Sequence, residues 1–361
     1  MQLGLFNLMT LRDRTVTPTR ILEDTRLMVE GAEELGFDTA WFAEHHFSNY
    51  SICPSPLMMA SYAAGFTKRI KLGTAVLVLP FYNPMRMIEE IGLLDVQSGG
   101  RARIGIGYGY QMHEFKRFNR IPAEKVEVAL EAWDIIDMAF REHHVDFHGK
   151  HFDITDCPLA ITPVHKPEIF VAGLEPVILQ RVAKGGHTPY INGSWRNPQL
   201  VRDNRRHIDN MYRAAGADPE QAPIAVHQFV FVTDDKQEAL DMAERTRYIS
   251  RIITAMRTEN VDLDGPYIRE RPAPDELPLE TIRDGLLAGD PHSIAERLVA
   301  EIKDLRTTHL CISTHVASNE GKRARRMLER FVKEVVPLVE KAFGMPLDQV
   351  HKDREIGRVY A

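Results

Sequence analysis

The sequence predicts an α/β protein folded as a (β/α)8 TIM barrel with insertions, and three observations carry that prediction. Short, almost wholly apolar strand patterns alternate with longer helical ones; eight such strands can be read; and five of the intervening helices open on a proline that follows a polar residue. Parallel strands buried on both faces lose the polar alternation of half-exposed strands, as in Glu-Ile-Phe-Val-Ala at 168–172. An open doubly wound sheet has the same order of elements and stays open as the alternative at this level.

The strands are read at 3–8, 38–43, 70–79, 102–107, 168–172, 189–192, 224–232 and 309–313. The first four begin 32 to 35 residues apart, the length of one strand, one helix and their loops. Helix starts fall at Ser55-Pro56, Asn83-Pro84, Glu175-Pro176, Asn197-Pro198 and Asp290-Pro291. Proline suits the first helical position because its missing N–H would have no partner there. Four of the preceding residues are good N-caps, and Glu175 is a poor one. These starts bound the loops Glu-His-His-Phe (44–47), Pro-Phe-Tyr (80–82), Gly-Leu-Glu (173–175) and Asn-Gly-Ser-Trp (192–195). In a barrel all four converge on the C-terminal rim, where barrel enzymes keep their active sites.

Two stretches exceed the repeating unit within a single barrel domain over residues 1–343. Two alternating runs around Gly149 predict a hairpin insertion at about 141–167. Residues 258–290, with Pro266, Pro272, Pro274 and Pro278 among charges, predict a lid-like insertion on the active rim. Residues 344–361 read as a C-terminal tail that packs on the outside or on a partner subunit.

Composition narrows the function. Of the 361 residues, 44% are hydrophobic and 27% charged, an ordinary globular balance. The longest apolar run, Ala75 to Leu79, is far short of the roughly 20 residues of a membrane helix. The N-terminal segment lacks a basic region and a cleavage site, so the expected location is cytoplasmic. Lys plus Arg number 45 against 51 Asp plus Glu, a net charge of -6, which argues against nucleic acid or an anionic membrane as partner. Cys53, Cys157 and Cys311 are odd in number and far apart, which fits neither a disulfide framework nor a cysteine zinc site.

His45 and His46 lie just past the second strand, and adjacent residues there point in opposite directions, so at most one faces the barrel mouth. A second cluster, His143, His144, His148 and His151, falls in the expected hairpin without the spacing of a zinc signature, so no metal site is assigned. Gly105-Ile-Gly-Tyr-Gly-Tyr110 fails the dinucleotide fingerprint because position 110 is tyrosine, and no phosphate loop of the Gly-Lys-Ser/Thr type occurs. Its glycines would still let the backbone approach a flat ring or a phosphate closely.

Glu-His-His-Phe (44–47), Gly-Thr-Ala-Val-Leu-Val-Leu-Pro (73–80), Asn-Pro-Met-Arg (83–86), Leu-Leu-Asp-Val-Gln-Ser-Gly-Gly-Arg (93–101) and Glu-Phe-Lys-Arg-Phe (114–118) resemble the bacterial luciferase-like flavin monooxygenases. The resemblance continues through Gly-Ser-Trp (193–195) and Gly-Asp-Pro-His-Ser-Ile-Ala-Glu-Arg-Leu (289–298), and is weak across the lid. It implies a luciferase-like barrel, a homodimer formed through helices near strands 2 and 3, and a two-component monooxygenase. Such an enzyme takes reduced FMN from a separate flavin reductase, reacts it with oxygen, and turns a flavin 4a-hydroperoxide on a small organic substrate.

By the same resemblance His45 is the general acid or base over the flavin, a task suited to a pKa near the working pH. Glu44 and Glu114 are expected to be catalytic with it. Ala75-Val76 falls where the family has a non-prolyl cis peptide beneath the ring. Gly107, Tyr108 and Gly109 match the loop near ring and phosphate, and Gly173, Leu174, Glu175, Ser194 and Trp195 match segments that hold the phosphate and the ring edge. The chain departs from luciferase itself, which has a reactive cysteine at the place of Gly107 and an arginine at that of Tyr108; both argue against light emission. Leu-Glu-Pro-Val-Ile-Leu (174–179) replaces luciferase's hydroxylated phosphate segment.

Phe6, Met9, Phe47, Tyr50, Met58 and Phe81 are candidates for an apolar substrate pocket, which favours an apolar carbonyl compound or aromatic. Baeyer-Villiger insertion, hydroxylation and aldehyde oxidation stand as the reaction classes. Two rivals are a deazaflavin-dependent oxidoreductase of the same superfamily and a non-catalytic flavin-binding protein.

Overall fold

The computed structural model describes residues 1–194, 196–273 and 276–352. Eight parallel strands close on themselves: β1 Gln2–Asn7, β2 Thr39–Phe42, β3 Lys71–Thr74, β4 Ala102–Gly107, β5 Glu168–Ala172, β6 Thr188–Asn192, β7 Ala225–Val232 and β8 His309–Ser313. β1 pairs with both β2 and β8, and β7 joins β6 to β8, so the sheet is the expected (β/α)8 barrel and the open-sheet alternative falls. The helices α1 Pro18–Glu34, α2 Pro56–Ala64, α3 Pro84–Ser98, α4 Met112–Arg117, α5 Lys125–Glu142, α6 Pro176–Gly185, α7 Pro198–Ala214, α8 Lys236–Met256, α9 Leu279–Gly285, α10 Pro291–Leu305, α11 Gly321–Arg330 and α12 Val336–Phe343 surround it.

All five proline starts are real. Ser55, Asn83, Asn197 and Asp290 each accept a backbone N–H of their own first turn, while Glu175 makes no such bond. The amides at the start of α6 are therefore uncapped by a side chain, a point that matters at the rim. Thr17-Pro18 opens α1 in the same way.

Inward-facing residues fill the barrel in layers. Trp41, Phe170, Tyr190, Ala225 and Cys311 form the central layer, and Trp41 fits because Gly4 leaves it room: a Cβ at Gly4 would lie 2.6 Å from its indole nitrogen. At the N-terminal end Arg103 points inward from β4 and pairs with Glu168 at 2.6 Å, which Lys71 also holds at 3.0 Å. Charges thus plug the end away from the rim.

Three expectations need correction. The strand read at 70–79 is broken: β3 ends at Thr74, the Ala75-Val76 peptide is cis, and a two-residue strand resumes at Leu77–Val78. Gly73 is opposite Arg103 and Leu77 opposite Ile106, so β3 carries one residue more than β4 between these pairings, a bulge. The Thr74 hydroxyl fills the interrupted ladder, accepting from the Gly105 N–H and donating to the Gly105 carbonyl, both at 2.9 Å. Second, the insertion at 258–290 is more ordered than a lid-like loop. It contains a short hairpin, Leu263–Asp264 with Tyr267–Ile268, then α9, then a strand Leu287–Gly289 that pairs with the end of β7. Third, the tail begins by packing inward: Leu347 and Val350 are buried, and the Met1 amino group donates to the carbonyls of both, to Leu347 at 2.7 Å. Its remainder, 353–361, lies outside the described residues. The hairpin expected at about 141–167 is formed by His144–His148 and Asp153–Pro158.

Candidate active site

The chain leaves β2 through Ala43, Glu44, His45 and His46, and the alternation at the strand end sends the two histidines apart. His46 Nε2 meets Glu44 Oε1 at 2.9 Å. The other Glu44 oxygen accepts from the Val78 N–H at 3.1 Å and the Tyr82 hydroxyl at 2.8 Å. Glu44 is almost completely buried; burial pushes its pKa up, and the bonds from His46, Tyr82 and Val78 oppose that shift. It ties the β2 loop to the segment after the cis peptide and does not touch His45.

His45 turns to the mouth and finds Glu114 instead. Its Nδ1 lies 3.3 Å from Glu114 Oε1, across 69 residues of chain, and the same oxygen accepts from the His46 N–H at 2.8 Å. Burial raises the Glu114 pKa, but His45 and the His46 amide outweigh it and the carboxyl is held below its ordinary value. An ionised carboxylate only accepts, so the proton on His45 Nδ1 faces Glu114. Gln111 reaches the same Nδ1 at 3.2 Å through the atom placed as its amide nitrogen, while its buried oxygen has no partner. Turning the amide over puts that oxygen on Nδ1–H and within reach of the Tyr110 hydroxyl, which removes the donor-to-donor clash and leaves the amide NH2 as the unpartnered group. His45 Nε2 has no hydrogen-bond partner among the described residues, and the side chain is 12% exposed. The arrangement presents one imidazole nitrogen to a ligand and fixes the proton on the other.

An aromatic wall flanks this group. Tyr50 packs on His45 with ring centres 4.5 Å apart, and Phe81 stacks on Phe118 at 4.6 Å beside His46. Phe47 lies 5.0 Å from Phe118, Phe6 packs on His227 inside the barrel at 4.3 Å, and Met9 is buried below the rim. Met58 does not belong with them: it is 72% exposed on the outer face of α2.

The expected cofactor residues form a strip along β3 to β5. Ala75 borders Gly105, and Val76 borders Gly107, where a Cβ would lie 2.8 Å from Val76 Cγ2 and 3.2 Å from the Ala172 carbonyl. Gly109 has φ +74°, open to glycine at little cost. Tyr108 covers Gly173, where a Cβ would meet the ring at 2.5 Å, and Leu174 accepts from His207 Nε2 at 2.9 Å. Glu175 stands at the uncapped start of α6. The first amides of α6, which Glu175 does not cap, suit the phosphate of a ring bound beside this strip. Lys125 adds a cation here, its Nζ 3.2 Å from the Gly109 carbonyl and 5.1 Å from the Tyr108 ring centre; sequence reasoning passed over it because nothing in its local pattern marks it. Ser194 stands apart from the strip. Its hydroxyl accepts from the Asn197 N–H at 3.1 Å, and it lines a cleft of about 260 Å³ between α7 and α10 on the barrel's outer side. Trp195 lies outside the described residues. Among the described residues no group of three or more His, Cys, Asp or Glu is placed to hold a metal ion; His144 pairs with Asp156 at 2.9 Å and His151 with Glu127 at 3.1 Å.

Comparison with known proteins gives the family and the fold. The family model for luciferase-like monooxygenases matches residues 1–309. An uncharacterised protein of Sinorhizobium fredii, y4vJ, is 30% identical over 316 residues, 87% of this chain and 90% of its own. The alkanal monooxygenase alpha chain of the Kryptophanaron alfredi symbiont is 35% identical over 122 residues, 34% of each chain. The F420-dependent glucose-6-phosphate dehydrogenase of Kineococcus radiotolerans is 27% identical over 85% of this chain and 90% of its own. Among solved structures, monooxygenase RslO1 from Streptomyces bottropensis superposes with a TM-score of 0.80 at 20% identity, covering 93% of this chain and 99% of that one. The oxygenating constituent of 3,6-diketocamphane monooxygenase from Pseudomonas putida, a type II Baeyer-Villiger monooxygenase in complex with FMN, does so with a TM-score of 0.76 at 21% identity, covering 93% and 98%. By sequence and by fold, the chain belongs to the luciferase-like monooxygenase family.

Proposed function

We propose that this protein is the oxygenase of a two-component system: it takes reduced FMN from a separate flavin reductase and uses oxygen on a small apolar organic substrate. The observation that carries the reading is the His45 and Glu114 pair, with its free Nε2, beside the half-buried shelf of Ala75 and Val76 that follows β3. Bound reduced FMN would supply the electrons that activate oxygen. The isoalloxazine ring would rest on that shelf. Lys125 and the α6 amides would hold the phosphate in place of luciferase's arginine.

His45 Nε2 would then take or give the proton that the reaction moves, while Glu114 keeps the Nδ1 proton in place and steadies the imidazolium when it forms. Tyr50, whose ring packs on His45, would exclude water from that nitrogen. This aromatic lining also supports an apolar substrate. Glu44 acts at one remove, by seating the loop that carries both histidines. Homodimer formation, part of the same reading, is supported by Met58, Tyr62, Leu93 and Val96, which are exposed on α2 and α3. A cytoplasmic location completes it.

The second reading, a deazaflavin-dependent oxidoreductase, is favoured by the F420-dependent dehydrogenase relative. The two separate cleanly. Anaerobic titration with reduced FMN and with a reduced deazaflavin measures preference, and admitting oxygen to each complex then measures its consumption. The FMN reading expects tighter binding of FMN and an absorbance transient distinct from reduced and oxidised flavin. Preferential deazaflavin binding without oxygen consumption replaces it with the second reading.

A further inference from the structure

Across the mouth from His45, between β6 and β7, sits a polar cluster that the proposed chemistry does not use. Asn192 ends β6 and is exposed; it faces the same way as Tyr190 of the barrel interior, two residues earlier, and its register partner on β7 is His227. His227 is buried, with Nε2 2.9 Å from Ser313 Oγ and Nδ1 3.3 Å from the atom placed as Asn192 Oδ1.

The direction of every hydrogen bond in this cluster follows from one end. Ser313 Oγ is 3.1 Å from the Phe6 carbonyl, which can only accept, so the serine proton points there. The serine oxygen therefore accepts from His227, and the proton of His227 is on Nε2. Burial drives the His227 pKa down to about 3, so the ring is neutral at working pH and Nδ1 carries a bare lone pair. A lone pair cannot face an amide oxygen. The Asn192 side chain is thus the other way round, its NH2 donating to Nδ1 and its carbonyl oxygen turned away from His227. That oxygen has no partner among the described residues.

We infer that Asn192, oriented by His227 and Ser313, is the hydrogen-bond acceptor for the imide N–H on the pyrimidinedione edge of the bound ring. A neutral acceptor beside a neutral histidine repels anions, so it does not suit a phosphate or carboxylate. An apolar substrate brings no donor to it. The imide N–H is a fixed, uncharged donor, and flavins and deazaflavins share it. The inference rests on the reading that the mouth takes a ring of this kind, and it holds for either cofactor. Asn192 is the residue in contact; His227 is a positioning residue.

The test compares anaerobic binding of reduced FMN with that of reduced N3-methyl-FMN, which lacks the imide proton. The wild-type protein should bind the methylated ring about tenfold or more weakly, because the bound ring would cover the Asn192 oxygen and leave it unpaired, which is costly. Asn192→Leu should bind both rings alike, near the wild-type affinity for the methylated one, and His227→Phe should shrink the ratio by freeing the amide. Equal binding by the wild type overturns the inference, as does discrimination that survives in Asn192→Leu, which would then be steric. The wild-type ratio needs no variant to fold, and Asn192→Ser provides a second substitution. If reduced FMN does not bind, the FMN reading fails by itself and the deazaflavin with its N3-methyl derivative gives the same comparison; binding of neither ring overturns both.

Discussion

The two ends of the barrel each bury charge, and they treat it differently. At the N-terminal end the Arg103 guanidinium bonds Thr39, Gln2 and Glu168, lies 5.5 Å from the Phe170 ring centre, and shares Glu168 with Lys71. Acceptors and donors around Arg103 are matched within the protein except at Arg103 Nε, which has no hydrogen-bond partner among the described residues. At the C-terminal end Glu114 and Gln111 converge on one nitrogen of His45 and leave the other facing the mouth. Buried charge alone does not mark a functional site. Hydrogen-bonding capacity left unspent beside a space for a ligand does.

That contrast is broken most forcefully from below. Arg103→Met removes the bonds to Thr39, Gln2 and Glu168 together and should lower unfolding free energy by about 3 kcal/mol, seen in urea denaturation, with the flavin preference of the folded fraction unchanged. From above, Glu114→Gln should cost about 10- to 100-fold in turnover because the Nδ1 proton is no longer held by a charge, with melting temperature and flavin affinity nearly constant. A large stability loss without a kinetic one would make the top another structural plug.

The rim's own scaffold gives a smaller effect. The Asn49 amide donates to the Leu11 carbonyl at 2.9 Å and to the Tyr248 hydroxyl at 2.8 Å, and accepts from Ile268 N–H at 3.0 Å, so it pins the inserted hairpin to the β2 loop. Asn49→Ala should destabilise by about 2 kcal/mol, with faster hydrogen exchange at residues 263–268 than in the barrel strands.

The smallest effect is the pH dependence of the lower end. Burial raises the Glu168 pKa, but Arg103 and Lys71 outweigh it and hold it at about 2. A carboxylate depressed from an unfolded value of about 4.3 stabilises fully above that pH and loses its contribution as the pH falls towards 2. The side chain is 39% exposed, so solvent screening reduces the contribution to the order of 1 kcal/mol. Glu168→Gln should flatten the urea-derived stability between pH 4.3 and 2, and an unchanged slope would remove Glu168 from the account.

The barrel was legible because its signals are local. Apolar runs, prolines and caps lie within a few residues of one another, and the five proline starts all hold. The bulge at Thr74 and the cis peptide were not legible from periodicity, since 70–79 reads as one apolar run; the cis bond was expected only from the family resemblance. At the site, the resemblance brought His45 and Glu114 together, while residue reasoning alone saw only that one of two histidines could face inward. The partner of Glu44 is His46, a consequence of strand-end alternation that the motif conceals. Asn192, His227 and Ser313 escaped because each looks like an ordinary polar residue in or beside a strand, and their meaning arises from pairings across 35 and 86 residues. Arg103 was hidden for the same reason, a charge within a buried strand whose partners lie on its neighbours.

The measurement that bears most directly on the central claim, that His45 acts on the reaction and is not a packing residue, compares His45→Ala with the wild type in two quantities: affinity for reduced FMN, and the single-turnover course of its reoxidation by oxygen. Affinity should stay within about threefold while the reaction changes about 100-fold. Loss of affinity as large as the loss of rate, or an unchanged reaction, would contradict it.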